Sequence, residues 1–322
     1  MAQVQLGDRT AALADFDQAI LLSPAYAPAY VQRGVILARA GQMPEAVADF
    51  DRAIALDSRN GEAYLNRCTA HYRLGNRQSA LSDCNQAVRY LPESALAVYQ
   101  RGFVQSSLGN GRAAMSDFSQ AIRLQPNYPE ALVGRGIIRF SYQDVTGAIE
   151  DLNQALELNP NYAEAYKVRG HLHRRRGNLT QAITDYNSAI ALNPDYDAAY
   201  QGRAAARLAL GDMNRAEQDY SEAIALNPGN IAAWMGRGQS RASLGDRRSA
   251  VEDFTQVIQV VPDYADAYFY RGTIHAELGE TTSAMDDLQR AGSLYLQQGR
   301  TQEYRESVRQ MNLVQYGFAP WE

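Results

Sequence analysis

Lysine is almost absent from this chain of 322 residues, because Lys167 is the only one among 31 basic Lys and Arg residues. Covalent chemistry that depends on a lysine amine therefore has a single candidate. Cysteine is nearly as scarce, and two residues cannot build a disulfide framework. We expect both cysteines to be reduced and the protein to be cytoplasmic, since thiols persist in a reducing compartment.

Long apolar stretches are also missing. No run of about 18 apolar residues occurs, which predicts that no segment spans a membrane. The opening MAQVQLGDRT lacks the positive start and apolar stretch of a signal peptide. The formal net charge of −5 argues against nucleic acid as the main partner, because phosphate binding needs clustered positive charge. With 46% hydrophobic residues, the chain is nevertheless expected to fold.

Signatures of the common catalytic sites do not occur either. The sequence contains no G-x-x-x-x-G-K-[ST], G-x-S-x-G, H-E-x-x-H or C-x-x-C motif. Three of the four histidines, His71, His173 and His275, are spaced by multiples of 34 residues, so they should lie too far apart to share a metal. We therefore expect no enzymatic activity, no cofactor and no metal site.

What the chain does contain is a period of 34 residues. One column of this period holds arginine in eight successive units, and another holds aspartate. Further columns hold small residues at regular spacing, which lets helices approach each other closely. The two charged columns are Arg33, Arg67, Arg101, Arg135, Arg169, Arg203, Arg237 and Arg271, and Asp49, Asp83, Asp117, Asp151, Asp185, Asp219, Asp253 and Asp287.

Each unit has the pattern of two helices joined by a turn. In a first helix of about 13 residues, an aromatic or apolar residue precedes a small one by four positions, as Tyr166 precedes Gly170, so both lie on one face. A glycine in the next turn can adopt the left-handed cap, although the fourth unit has Gln143 there. Proline then ends the second helix in most units.

This pattern resembles the tetratricopeptide repeat (TPR), a helical hairpin of 34 residues with aromatic, Gly, Ala, aromatic, Ala and Pro at these spacings. The resemblance covers 27–298 as eight complete repeats, between a half repeat at 1–26 and a capping helix and tail at 299–322. It implies an all-α fold, a right-handed α-solenoid whose first helices line the concave face. We expect the half repeat to contribute a helix from about Arg9 to Leu22, and the cap a helix from about Thr301 to Val314.

The arginine column has two interpretations, since the family commonly has a packed Leu there. It could be a track for a polyanion, or each arginine could pair with an aspartate of its own hairpin. We favour the pairs, because eight partly buried guanidinium groups without partners would be too costly. In the second unit, Cys68 and Cys84 occupy slots that face each other, with a Cα separation of about 5–8 Å expected.

The resemblance further implies a non-catalytic scaffold that binds a peptide or helical segment of a partner protein in the concave groove. We expect the partner to present apolar anchors next to acidic residues. The alternative is that the apolar groove residues pack against neighbouring helices and that the arginines form a solvated helix end. The groove residues selected are Tyr99, Phe103, Ile137, Phe140, Lys167, His171, Arg174 and Arg175.

Other functions stay open at this point. The chain could be the non-catalytic TPR arm of a larger enzyme or kinase. The partner could instead be a second copy of this chain, bound through apolar residues of the half repeat to form a homo-dimer. RNA binding is disfavoured by the net charge of −5. The use of Arg in place of Lys, with abundant Gln and Ala, predicts a bacterial source.

Overall fold

The computed structural model describes the backbone of residues 2–317 and the side chains of residues 9–317. These residues form eighteen helices and no strand, in two compact units, residues 1–160 and 161–322. No helix among those described is both long and apolar enough to cross a membrane. The predicted tail after Gly317 lies outside the described residues.

The first unit contains nine helices, each packed against the next along the chain. After the opening helix, four hairpins follow, and every first helix is 13 residues long, as predicted. The helices are α1 (Ala2–Leu22), α2 (Ala27–Arg39), α3 (Met43–Leu56), α4 (Gly61–Arg73), α5 (Arg77–Tyr90), α6 (Ala95–Ser107), α7 (Gly111–Leu124), α8 (Pro129–Ser141) and α9 (Val145–Leu158).

The second unit repeats this arrangement with four more hairpins and one closing helix. Its first helices are again 13 residues long. The helices are α10 (Ala163–Arg175), α11 (Leu179–Leu192), α12 (Asp197–Ala209), α13 (Met213–Leu226), α14 (Ile231–Ser243), α15 (Arg247–Val260), α16 (Ala265–Glu277), α17 (Thr281–Gln297) and α18 (Thr301–Tyr316).

Small residues hold the two helices of a hairpin together. In hairpin α10–α11, Ala182 and Ala189 are completely buried. A Cβ atom added to Gly170 would lie 3.2 Å from both the carbonyl oxygen of Ala182 and the ring of Tyr186. The small column is therefore a packing requirement, because a larger side chain would force α10 away from α11.

The turns between the two helices adopt the left-handed conformation that the sequence predicts. Gly177, for example, has a φ of +80° after α10. Gln143 keeps the same conformation after α8, with a φ of 66°, although it carries a side chain. Glutamine in place of glycine therefore leaves hairpin α8–α9 formed, and its cost is backbone strain at Gln143 alone.

The cysteine pair both confirms and corrects the sequence analysis. Cys68 and Cys84 face each other with a Cα separation of 5.4 Å, inside the predicted range. They form a disulfide, so the expectation that they are reduced is wrong for this structure. The physical reason is that Cys84 replaces the larger Phe, Tyr or Leu found at this place in the other second helices, and Cys68 lies opposite it, so the two sulfur atoms can meet. The prediction of a reducing compartment rested on free thiols, so the disulfide removes the support for that prediction.

The two ends differ in how well they were predicted. Helix α1 begins at Ala2 and runs without a turn to Leu22, so the predicted start near Arg9 is wrong. Apolar surface was expected from Leu13, Phe16 and Ile20, but all three are half-buried, and Ile20 packs against α2. The exposed apolar residues at the end of α1 are Leu21 and Leu22. Helix α18 matches its prediction and extends two residues further, to Tyr316. It packs against α17, and Tyr304 joins the apolar cluster there.

Candidate functional site

The arginine column forms ion pairs inside the hairpins. In all eight hairpins, Nε and Nη2 of the arginine donate to the two carboxylate oxygens of the aspartate 16 residues later, at 2.6–3.1 Å. These aspartates are buried. The predicted pairing is confirmed, and a polyanion track is excluded because bidentate partners already occupy the guanidinium groups.

Four of these arginines, Arg67, Arg203, Arg237 and Arg271, also donate to a residue of the preceding hairpin, which the sequence analysis missed. Nη1 of Arg67 donates to Asp51 at 2.6 Å, and Nη1 of Arg203 donates to Asn187 at 2.7 Å. A signal was available, because the residue two positions after each column aspartate is always polar. We call this set of arginines, aspartates and polar residues the interior ladder.

Histidines and further arginines belong to the interior ladder as well. Arg207 lies 2.7 Å from Asp219, and His173 occupies the equivalent position 3.9 Å from Asp185. Burial lowers the pKa of His173, and the positive charge of Arg169 lowers it further against the opposing effect of Asp185. This imidazole is therefore a structural group of its hairpin.

The apolar half of the predicted site lies in the first unit. Tyr99 is half-buried, with its ring 5.0 Å from Tyr128 and 6.3 Å from Phe103. Phe103 also contacts Tyr72, at a ring separation of 5.0 Å, yet remains 40% exposed. Packing against neighbouring helices thus accounts for Tyr99 and leaves Phe103 open to a partner.

Two more apolar residues were predicted for this half, both on α8. Ile137 is 41% exposed, whereas Phe140 is half-buried. The first helices α6 and α8 therefore present Phe103 and Ile137 as large apolar side chains accessible to solvent. We call Tyr99, Phe103, Ile137 and Phe140 the apolar patch.

The basic half of the predicted site lies in the second unit, on α10. Lys167 forms an ion pair with Glu164 at 2.7 Å, and its amine lies 5.7 Å from the ring centre of Tyr196. The hydroxyl of Tyr196 donates to the same carboxylate. The carboxylate of Glu164 therefore offsets most of the positive charge of Lys167. Lys167 should attract an acidic ligand only weakly.

His171 stands among positive charges. Partial burial lowers the pKa of its imidazole, and the nearby charges of Arg174, Arg175 and Lys167 lower it further. A group that loses its proton this readily contributes little positive charge at neutral pH. Arg175 is exposed at the end of α10, as a solvated helix end would be.

Arg174 behaves differently from its neighbours. It is half-buried, and its Nε atom is buried without a hydrogen-bond partner. Its positive charge reaches the phenols of Tyr186 and Tyr220, the aromatic residues of α11 and α13. The prediction treated Arg174 and Arg175 as equivalent, but only Arg174 is built into the fold.

The predicted site thus divides between the units. Tyr99 and Phe103 come together in the first unit, and His171 and Arg174 come together in the second. A continuous strip from apolar to basic stays a prediction. No cluster of His, Cys, Asp and Glu that could hold a metal ion occurs among residues 9–317.

Comparison with protein families identifies the class of protein. A tetratricopeptide repeat model matches residues 1–62, 104–163 and 235–293, together more than half of the chain. Further models of this repeat match 170–211 and 198–230. The chain belongs to the tetratricopeptide repeat family, an assignment that the hairpin geometry independently supports. No curated protein matches it in sequence.

Solved structures show the same fold at low sequence identity. A tetratricopeptide repeat protein from Parabacteroides merdae superposes with a TM-score of 0.60 at 20% identity, over 76% of this chain and 97% of the other. The Cut9–Hcn1 hetero-tetramer of the APC/C gives 0.64 at 16% identity, over 91% of this chain and 58% of the other. PilF from Pseudomonas aeruginosa gives 0.57 at 17%, over 64% and 95%.

Proposed function

We propose that this protein is a non-catalytic scaffold that binds an extended peptide or a helical segment of a partner protein along its first helices. The observation that carries the proposal is the exposure of Phe103 and Ile137 on α6 and α8, at 40% and 41%. A partner that covered these two side chains would gain the stabilisation of apolar burial.

The chemistry of the first helices suggests what the partner presents. The apolar patch suits one or two aliphatic or aromatic anchors, and the arginines of α10 suit acidic residues. Apolar anchors set the lifetime of such a complex, while exposed charges mainly speed association and are screened by salt. The Cut9–Hcn1 structure is a hetero-tetramer, so a solenoid of this kind can accommodate a protein partner.

The test is a peptide selection followed by affinity measurements. A random library of displayed peptides is selected on the wild-type protein, and the best peptide is titrated by fluorescence anisotropy. Phe103→Ala should weaken binding by about 10-fold or more, because truncating a buried aromatic anchor costs more than 1 kcal/mol. Arg175→Ala should weaken it less and should mainly flatten the salt dependence.

The matched control is Leu124→Ala. Leu124 lies on the second helix α7 and is 39% exposed, nearly the same as Phe103. The Leu124→Ala variant should bind the selected peptide with an affinity within about twofold of the wild type, since a truncation outside the contact changes the affinity little. Failure to select any peptide, or equal losses in Phe103→Ala and Leu124→Ala, would contradict the proposed function.

A further inference from the structure

A cavity of about 210 Å³ lies in the second unit, between the last first helix, α16, and the closing helix, α18. Pockets for drug-sized ligands have volumes of about 300–1,000 Å³, so this cavity suits a single side chain better than a whole small molecule. Its lining comes from α16, α17 and α18, and none of these residues belongs to the groove residues selected from the sequence. The cavity is therefore a separate place at which a partner could be held.

Three aromatic rings line this cavity. Phe269 and Tyr270 follow each other on α16, with ring centres 5.8 Å apart and ring planes at 73°. Phe269 also contacts Tyr295 of α17, with ring centres 6.3 Å apart and ring planes at 60°. Because the rings are inclined to one another, they form a corner and not a flat stack. The face of an aromatic ring attracts a cation electrostatically, so this corner favours a positively charged group.

Carboxylates outnumber cations around these rings. Asp266 of α16 and Glu303 and Glu306 of α18 line the cavity together with one arginine, Arg300. Arg300 donates to both oxygens of Asp266, at 3.0 and 3.1 Å, and to Oε1 of Glu303, at 2.9 Å. One guanidinium against three carboxylates leaves the lining with an excess of two negative charges.

Glu306 has the weakest counter-charge of the three carboxylates. Its Oε1 accepts a hydrogen bond from the amide of Gln310 at 2.9 Å, and its Oε2 lies 3.9 Å from Nη1 of Arg309. The side chains of Arg309 and Glu306 are 46% and 42% exposed, and so long an exposed ion pair contributes little. Glu303 lies three residues earlier on α18, hence on the same face. A cation that entered the cavity would therefore meet Glu306 with Glu303 beside it.

The second unit already holds cations of its own in this way. The guanidinium carbon of Arg300 lies 4.6 Å from the ring centre of Tyr295. In α10, the amine of Lys167 lies 5.7 Å from the ring centre of Tyr196 and pairs with Glu164 at 2.7 Å. A positive side chain over a tyrosine ring and beside a carboxylate is therefore an arrangement that this fold accommodates.

We propose that this cavity binds an arginine side chain of the partner peptide. The guanidinium pairs with Glu306 and lies against the ring of Phe269, since its planar group matches a carboxylate and stacks on aromatic faces. Helix α16 brings no cation of its own, because Phe269 stands at the repeat position that Lys167 has in α10. The inference rests on the proposed function and adds a basic residue to the apolar and acidic residues expected of the partner.

The experiment uses the full chain and a defined probe, the N-acetylated amide of Ser-Arg-Ser-Arg-Ser, titrated at moderate salt by calorimetry. Glu306→Gln should weaken binding by about 10-fold or more, because it removes a hydrogen bond between charged groups and keeps the shape of the side chain. Phe269→Leu should weaken it by about 3-fold, because leucine keeps the apolar contact and lacks the ring face that attracts the guanidinium.

The matched control is Glu222→Gln, which removes the same charge from an exposed residue on the second helix α13 of the same unit. It should change the affinity by less than about twofold, since exposed charges are screened at this salt concentration. The analogue Ser-Leu-Ser-Leu-Ser should not bind. Equal losses in Glu306→Gln and Glu222→Gln, unchanged affinity in Phe269→Leu, equal binding of the leucine analogue, or no binding of the probe would each overturn the assignment.

The result can be separated from the proposed function. Selected peptides that depend on Phe103 but are indifferent to Glu306→Gln would preserve the scaffold and overturn the arginine site. A probe that depends on Glu306, while no selected peptide depends on Phe103, would preserve the arginine site and contradict the proposed function. In either case, circular dichroism of each variant checks that the helices are intact.

Discussion

Hairpins α4–α5 and α10–α11 have the same ladder and different packing. In hairpin α10–α11, Tyr186 packs its ring against Gly170, whereas hairpin α4–α5 has Cys84 and Cys68 in these two slots. The distances between the paired arginine and aspartate are nearly the same in both hairpins. Arg67 binds Asp83 at 2.6 and 2.8 Å, and Arg169 binds Asp185 at 2.7 and 2.9 Å.

This comparison shows which part of the interior is constant. The glycine and the ring can both be exchanged, provided that the pair still fills the space between the helices. The charged pair is never exchanged in the eight hairpins, because removing one partner would strand the other in a buried position. Breaking the ladder should therefore cost more than breaking either version of the packing pair.

The largest effect is expected from Arg169→Ala. It leaves Asp185 buried without its bidentate partner, and the free energy of unfolding should fall by about 3–5 kcal/mol. Denaturant titration gives the overall change. Hydrogen exchange of α10 and α11 localises it, which matters because repeat proteins need not unfold in one step.

Two further variants sharpen this result. Arg169→Met combined with Asp185→Leu should recover much of the loss, since no unpaired charge remains. Arg176→Ala, at an exposed residue of the same region, should stay within about 0.5 kcal/mol of the wild type. If Arg169→Ala alone were as stable as the wild type, the ladder would be a solvated feature and the comparison would fail.

The next effect concerns the packing pair of hairpin α4–α5. Reducing the Cys68–Cys84 disulfide should lower the free energy of unfolding by about 2–4 kcal/mol, because the bond closes a short loop in the unfolded chain. Denaturant titration with and without dithiothreitol measures this. The double variant Cys68→Gly with Cys84→Phe restores the pair found in hairpin α2–α3, where Gly34 faces Phe50. It should not respond to the reductant.

A thiol assay decides whether the premise holds. Protein unfolded without reductant should expose no free thiols, and after reduction it should expose two. Two reactive thiols before reduction would show that the pair is reduced, as the sequence analysis expected. The loss on reduction should then vanish, and the two hairpins would differ in packing alone.

Features that recur in every repeat could be predicted from the sequence, whereas features found in a single hairpin could not. The spacing of 16 residues placed Arg67 opposite Asp83, and the same register placed Cys68 opposite Cys84, because both follow from the period. The redox state of the cysteines was not predictable, since it depends on the side-chain directions of a single hairpin. Arg174 was indistinguishable from Arg175 because its surroundings come from Tyr186 and Tyr220, on other helices.

The smallest effect is expected at the turn of hairpin α8–α9. Gln143 holds a φ of 66° where the other hairpins have glycine, and a side chain in this conformation costs roughly 1–2 kcal/mol. Gln143→Gly should therefore raise the free energy of unfolding by about 1 kcal/mol, the remainder being lost to the greater freedom of glycine in the unfolded chain. Gly177→Gln in hairpin α10–α11 should lower it by a similar amount. A decrease for Gln143→Gly would mean that the glutamine side chain makes a stabilising contact, and that this turn is no simple departure from the repeat.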